Sequence, residues 1–154
     1  MIPVKDYILV FIQICLFGLF AFLNGSFPLI NNLVFKYLGY PLATIGLIAI
    51  LFAFIQLNTY LSPYPSPKKS AVLVTSGIFG IVRHPIYSGI IALMLGLSFV
   101  LADGFKLATS IITLFFFWYK SNYEEGLLSL VFPNYMPYKK SVGRFFPKLR
   151  RLIP

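Results

Sequence analysis

The amino-acid sequence predicts an all-α integral membrane protein with about four transmembrane helices arranged as two hairpins. Composition is the first reason: 58% of the residues are hydrophobic and only 11% charged, giving a mean hydropathy of +0.84. That balance is far from a soluble domain's. The second is that the apolar residues come in continuous runs, close to the roughly 20 that a helix needs to cross about 30 Å of hydrocarbon. Barrel strands would alternate instead.

The runs are Tyr7–Leu23, Ala43–Leu61, Ile86–Ala102 and Phe105–Tyr119. Asn24 and Gly25 follow the first without a small-residue cleavage pattern, so it reads as a retained span and not a signal peptide. NGSFPLINNLVFKYLGYP joins it to the second and has room for a short interfacial helix. The third and fourth are joined by LADGFK, tight enough to force a helical hairpin with Gly104 at the turn. Between the pairs lies SPYPSPKKSAVLVTSGIFGIVRHP, where Pro63, Pro65 and Pro67 forbid a helix and favour an extended segment at the membrane surface. Pro85 then starts the third helix. On it, Ser88, Ala92 and Gly96 form a strip of small side chains suited to close packing. Beyond Tyr119, Glu124, Leu127, Leu128 and Val131 keep helical spacing, so the fourth helix continues until Pro133 and Pro137 break it. The chain reads as one domain, 1–154, with an N-terminal hairpin over 1–62 and the chemistry in 63–154.

Lys and Arg number 13 against 4 Asp and Glu, a formal charge of +9. With four antiparallel spans, all of them but Lys36 and Lys106 fall on one side. The positive-inside rule then places both termini and the loop 62–85 in the cytoplasm. A basic rim against anionic headgroups accounts for the charge, and no recognition module points to nucleic acid. Cys15 is the single cysteine, so a disulfide framework or Cys-based zinc site within one chain is excluded, and no metal is expected.

Of the acids, Asp6 and Asp103 stand at span ends and read as solvated. Glu124 and Glu125 are adjacent, so on a helix they diverge by about 100°. One can face inward while the other meets water or a basic group, and Lys120, one turn earlier, allows an i,i+4 ion pair with Glu124. The only histidine, His84, lies between Arg83 and Pro85 on the same side as both glutamates. An arginine and histidine touching headgroups is one reading. The other is a functional site, because ionisable groups that converge at a membrane boundary mark one.

LVTSGIFGIVRHPIYSG, an apolar hairpin, and then EEGLLSLVFPNYMPYKKSVGRFFP resemble, in that order, the isoprenylcysteine carboxyl methyltransferase family, relatives of the membrane phospholipid methyltransferases. The resemblance runs from about Pro63 to Pro147. A short Arg-His-Pro-x-Tyr is weak alone. Leu-Val-Thr-x-Gly before it, with Glu-Glu, Tyr-x-x-Tyr and Val-x-Arg-x-x-Pro after it, makes the combination specific. It implies an integral membrane enzyme that uses S-adenosylmethionine, held from the cytosolic side under the C-terminal segment without a Rossmann glycine motif. Carried over by residue, the cofactor pocket would include Val72, Leu73, Val74, Phe79, His84, Pro85, Ile86, Tyr87 and Glu124, with Tyr135 and Tyr138 helping to close it. Arg83 would stand beside the reacting centre, Lys120 would help hold the acceptor, and Glu125 completes the catalytic set. Three positions depart from the family pattern. Ala71 stands where His is frequent, Phe79 where Tyr is common, and Lys120 where Arg is usual. An ammonium cannot form the bidentate fork of a guanidinium.

Methyl transfer is an in-line displacement at a sulfonium carbon and needs alignment and dryness more than covalent help. A carboxylate acceptor is already ionised at pH 7 and needs only an orienting cation, Arg83 or Lys120. Glu124 suits the cofactor's α-amino group. An amine acceptor must first lose a proton, which would give His84 or Glu125 the role of base. The expected acceptor is lipidic, most like a prenylcysteine carboxylate, with the bilayer as the other partner. A phospholipid amine or small thiol is the nearest alternative. An NADPH-binding reductase-like relative and a non-catalytic membrane scaffold are the alternatives of other classes.

Overall fold

The computed structural model describes residues 2–24, 33–67 and 72–148. Among them are five α-helices: α1 Val4–Phe22, α2 Leu33–Leu57, α3 Pro85–Leu101, α4 Gly104–Val131 and α5 Tyr135–Ser141. Short 3-10 turns occur at Asn58–Tyr60 and Gly77–Gly80. The expected features at Lys68, Lys69, Ala71, Arg150, Arg151 and most of the connection before α2 lie outside the described residues.

Four spans in two hairpins are not what the chain forms. Only α1 and α2 are long and apolar enough, among the described helices, to cross a membrane. The apolar α3 has 17 residues. In α4, Lys106, Thr109, Ser110, Thr113, Lys120 and Ser121 are buried against neighbouring elements. That polar inner face dilutes the apolar run. The pairing differs too. Although α3 and α4 are neighbours across their tight connection, α2 packs mainly on α3, and α1 packs on α4.

The α2 and α3 helices meet through glycine. A Cβ at Gly96 would come 2.7 Å from the Gly39 carbonyl oxygen, and one at Gly89 would come 2.7 Å from that of Gly46. The small strip therefore works where Ala92 and Gly96 join Gly89, whereas Ser88 donates to the carbonyls of His84 and Phe145, both at 3.0 Å. Helix α2 also starts well before Ala43 and carries Pro41 inside it. Phe35 in that added stretch stacks on Phe99 of α3 at 5.7 Å. Tertiary contact outweighs the helix-breaking cost of one proline.

At the connection between α3 and α4, the left-handed residue is Ala102 (φ 51°), not Gly104. Asp103 accepts from the Lys106 amide at 3.0 Å and caps α4. Lys106 is buried, and its ammonium donates to the carbonyls of Phe20 at 2.5 Å and Leu23 at 3.3 Å, at the negative end of α1. Lys106→Met keeps the length and removes those donors. It is expected to destabilise the fold by about 1–3 kcal/mol, read as a lowered melting temperature in detergent.

Near the other end of the helices, two irregular segments are pinned. The proline-rich stretch is held to α1: Asp6 Oδ2 accepts from the Ser66 amide at 3.0 Å, and Tyr7 meets Tyr64 edge to face at 5.3 Å. Asp6 is thus fully buried rather than solvated. The loop before α3 turns at Gly77 (φ 55°), where Gln56 of α2 donates to the Ser76 carbonyl at 2.8 Å and accepts from the Ile78 amide at 3.2 Å. Beyond α5, the chain returns alongside this loop. The Arg83 amide donates to Gly143 O at 2.8 Å and the His84 amide to Arg144 O at 3.1 Å, around a parallel bridge between Val82 and Gly143.

Candidate functional site

His84 is the N-cap residue of α3 and Pro85 its first helical residue, where the missing amide hydrogen costs nothing. That start places Tyr87 so that its ring stacks on His84 at 5.3 Å, with an interplanar angle of 4°. Phe117 of α4 stacks on Tyr87 in turn, with 4.4 Å between ring centroids. The Tyr87 hydroxyl donates to Glu124 Oε2 at 2.8 Å.

Glu124 and Glu125 diverge as adjacent helical residues must. Glu125 points into a cluster of cations and is only 1% exposed. Its Oε1 accepts from Arg83 Nε at 3.0 Å, Arg83 Nη2 at 2.8 Å and His84 Nε2 at 3.2 Å. Its Oε2 faces Lys139 Nζ at 3.0 Å and Arg144 Nη2 at 3.2 Å. Burial by itself would raise the carboxyl's pKa, but the hydrogen bonds from His84, Arg83 and Lys139 outweigh it and hold the group well below the usual carboxylate range. The 3.2 Å contact is a hydrogen bond in the His84 tautomer that carries hydrogen on Nε2. Arg83 also donates through Nη1 to the carbonyls of Lys139 and Val142. This one guanidinium ties the loop before α3, helix α4 and the segment after α5 together.

Two adjoining cavities open beside the cluster. The first, about 300 Å³, is walled by Gln13, Phe17, Phe54, Leu57, Ile90 and others, with Phe79, Arg83, His84, Pro85, Ile86, Tyr87, Lys120 and Glu124 on its lining. The second, about 150 Å³, shares Phe79, Arg83, His84 and Glu124 and adds Val72, Leu73, Val74, Tyr135 and Tyr138. Tyr138 donates to the Phe79 carbonyl at 2.6 Å, and burial pushes its hydroxyl up to about 12. Burial raises the Tyr135 hydroxyl further, and that buried oxygen has no hydrogen-bond partner among the described residues. Such an orphan on a cavity wall is a polar group that a bound ligand or an ordered water would satisfy.

The residues singled out in the sequence thus gather around these two cavities, except Glu125, which lies behind them in the ionic cluster. Lys120 does not form the i,i+4 pair. Its ammonium donates to Gln13 Oε1 at 2.5 Å and Pro63 O at 3.0 Å. Sequence reasoning missed Gln13 and Lys139, and had Arg144 only as a motif position without a role. A cue for Gln13 was present, since an amide within an apolar run needs a partner. For the two cations the cue was weaker: a chain with four acids leaves few anions for its bases to meet.

Comparison with known proteins places this arrangement. The nickel-cobalt-cadmium resistance protein NccN of Alcaligenes xylosoxydans xylosoxydans is 30% identical over 110 residues, covering 70% of this chain and 51% of that protein. The cobalt-zinc-cadmium resistance protein CzcN of Cupriavidus metallidurans is 27% identical over 110 residues, covering 70% and 50%. The chain therefore spans about half the length of these curated relatives. The family model described as Phospholipid methyltransferase matches residues 34–134, a stretch that contains all but the first residue of α2, all of α3 and α4, the loop with Arg83 and His84, and both glutamates. With most of its cavity walls inside that match, the chain belongs to the phospholipid methyltransferase family.

Proposed function

We propose that the chain is an S-adenosylmethionine-dependent membrane methyltransferase acting on the carboxylate of a lipidic acceptor, most like a prenylcysteine, from the cytoplasmic side. The observation that carries this reading is an anion and a cation, Glu124 and Lys120, on the wall of one cavity whose other walls are mainly apolar. The groups present suit the cofactor. Glu124 offers a carboxylate to an α-ammonium group, and the unpaired Tyr135 hydroxyl offers a polar partner in the adjoining cavity. When bound, S-adenosylmethionine supplies a methyl group on a cationic sulfur, from which the S–C bond pair leaves with sulfur as an acceptor oxygen forms the new C–O bond.

The protein's own residues bind, orient and exclude water. Lys120 orients a carboxylate without protonating it, and the Tyr87 ring, backed by Phe117, adds an aromatic wall that helps exclude water. Arg83 is held by Glu125 and fixes the loop that presents His84. Membrane seating is supported by the outward apolar side chains of α1 and α2, among them Phe11, Ile14, Phe52 and Ile55, all more than half exposed. The concentration of Lys5, Arg83, Lys120, Lys139 and Arg144 at the site end of the helices supports the cytoplasmic placement.

Calorimetry with S-adenosylhomocysteine on the protein in detergent is expected to give a binding isotherm, and Glu124→Gln is expected to weaken it about tenfold by removing a charged acceptor. Membranes given methyl-labelled cofactor are expected to carry the label in base-labile esters. Absence of any isotherm would end the methyltransferase reading, and label found solely in base-stable N-methyl groups would end the carboxylate one.

A further inference from the structure

Lys120 is a buried cation, 1% exposed, whose three ammonium hydrogens meet two neutral acceptors, Gln13 Oε1 and Pro63 O. No carboxylate among the described residues lies within 4 Å of it; burial pulls its pKa below the usual lysine value, and Glu124 and Asp6, acting through space, oppose that only in part. The Tyr87 ring, 5.6 Å away, adds a weak quadrupolar contact. A buried charge held by dipoles alone is costly, and an anion brought to it gains what the fold has left unpaired. The cavity beside it is lined by Phe17, Phe54, Leu57, Leu61 and Ile90, walls that suit hydrocarbon.

We propose that Gln13 is the positioning residue that sets the acceptor's head group. Facing an ammonium donor, its amide must present oxygen, so it fixes where Lys120 points while adding no negative charge. The residue comes from α1, outside residues 34–134 that match the family model. Helix α1 therefore adds a neutral acceptor beside a cation, Lys120, that the matched stretch itself supplies. The cavity accordingly takes a carboxylate with an apolar tail and discriminates against the neutral analogue of the same tail. The inference rests on the proposed function for its link to catalysis, but its test is one of binding.

The full chain in a neutral detergent is titrated with dodecanoate and with dodecanol, each displacing a fluorescent fatty acid, and separately with S-adenosylhomocysteine. The wild-type protein is expected to prefer dodecanoate about tenfold, the value of one charge-assisted hydrogen bond in a dry site. Gln13→Glu supplies the missing anion internally and is expected to abolish that preference while leaving dodecanol and S-adenosylhomocysteine binding within about twofold. Gln13→Leu, which removes the alignment and keeps the charge, is expected to retain part of it. A merely structural Gln13 would move both ligands together and leave the ratio unchanged. Equal affinity of the wild type for the two ligands, or a Gln13→Glu protein that still prefers dodecanoate, overturns the proposal. If the preference holds while S-adenosylhomocysteine fails to bind, the methyltransferase reading falls and the head-group inference stands.

Discussion

Glu125→Ala is expected to destabilise the protein by about 3–5 kcal/mol, because it leaves buried cations without their anion. The carboxylate is the meeting point of Arg83, His84, Lys139 and Arg144, and its side chain is fully buried. Without it the cations repel one another, and the stretch from Lys139 to Phe145 loses its anchorage on α4. In detergent, the variant is expected to melt well below the wild type and to be cut faster by trypsin at Arg144. Glu124→Gln serves as the comparison: that carboxylate is partly exposed, so stability should change little while cofactor binding falls. The pH dependence has a defined sign. A carboxyl whose folded pKa lies below its unfolded value contributes stability above the unfolded value and loses it as pH falls through the folded one. The wild type should therefore lose this contribution only below the ordinary carboxylate range, whereas the Glu125→Ala protein should show a flatter acid limb. Wild-type melting and an intact Arg144 bond in the variant would show that the cluster is ornamental to the fold.

The local chemistry of the site was legible in the sequence, but its three-dimensional pairing was not. A proline after a lone histidine announces a helix start, and the structure has His84 as cap with Pro85 first in α3. Adjacent glutamates must diverge, and they do, one toward Tyr87 and the other toward Arg83. What the sequence could not show is which remote dipole a buried cation will meet. Lys120 has Glu124 within one turn, yet it reaches 107 positions back to Gln13, because α1 packs on α4. The same holds for Asp6, which accepts from a backbone amide sixty positions away. Hydropathy likewise could not separate a uniformly apolar helix from one like α4, whose buried hydroxyls are satisfied by their own helix and whose buried lysines reach other elements. Ser110 and Thr113 donate to the carbonyls of Lys106 and Thr109, at 2.7 and 2.8 Å.

Gly96→Val is expected to be the most damaging substitution away from the cavities. An added Cβ would lie 2.5 Å from the Ala43 amide nitrogen and 2.7 Å from the Gly39 carbonyl oxygen. Both are backbone atoms, so no rotamer change relieves the overlap and α2 must move off α3. Overpacking of this kind costs about 1–3 kcal/mol where side chains can yield, and more where they cannot. The displacement reaches the site through Gln56, which sits on α2 and holds the Ser76–Ile78 turn that leads to Arg83 and His84. Gly96→Val should therefore lower the melting temperature and weaken S-adenosylhomocysteine binding together, although the residue touches neither cavity. Gly18 is the internal control. Nothing lies within 4 Å of a Cβ there, and it occupies the interior of α1. Gly18→Ala is expected to be neutral or to stabilise by up to about 1 kcal/mol, through helix propensity alone. If the two variants melt alike, the close approach of α2 and α3 does not hold the loop, and the order in which the helices pack cannot explain how the site is built.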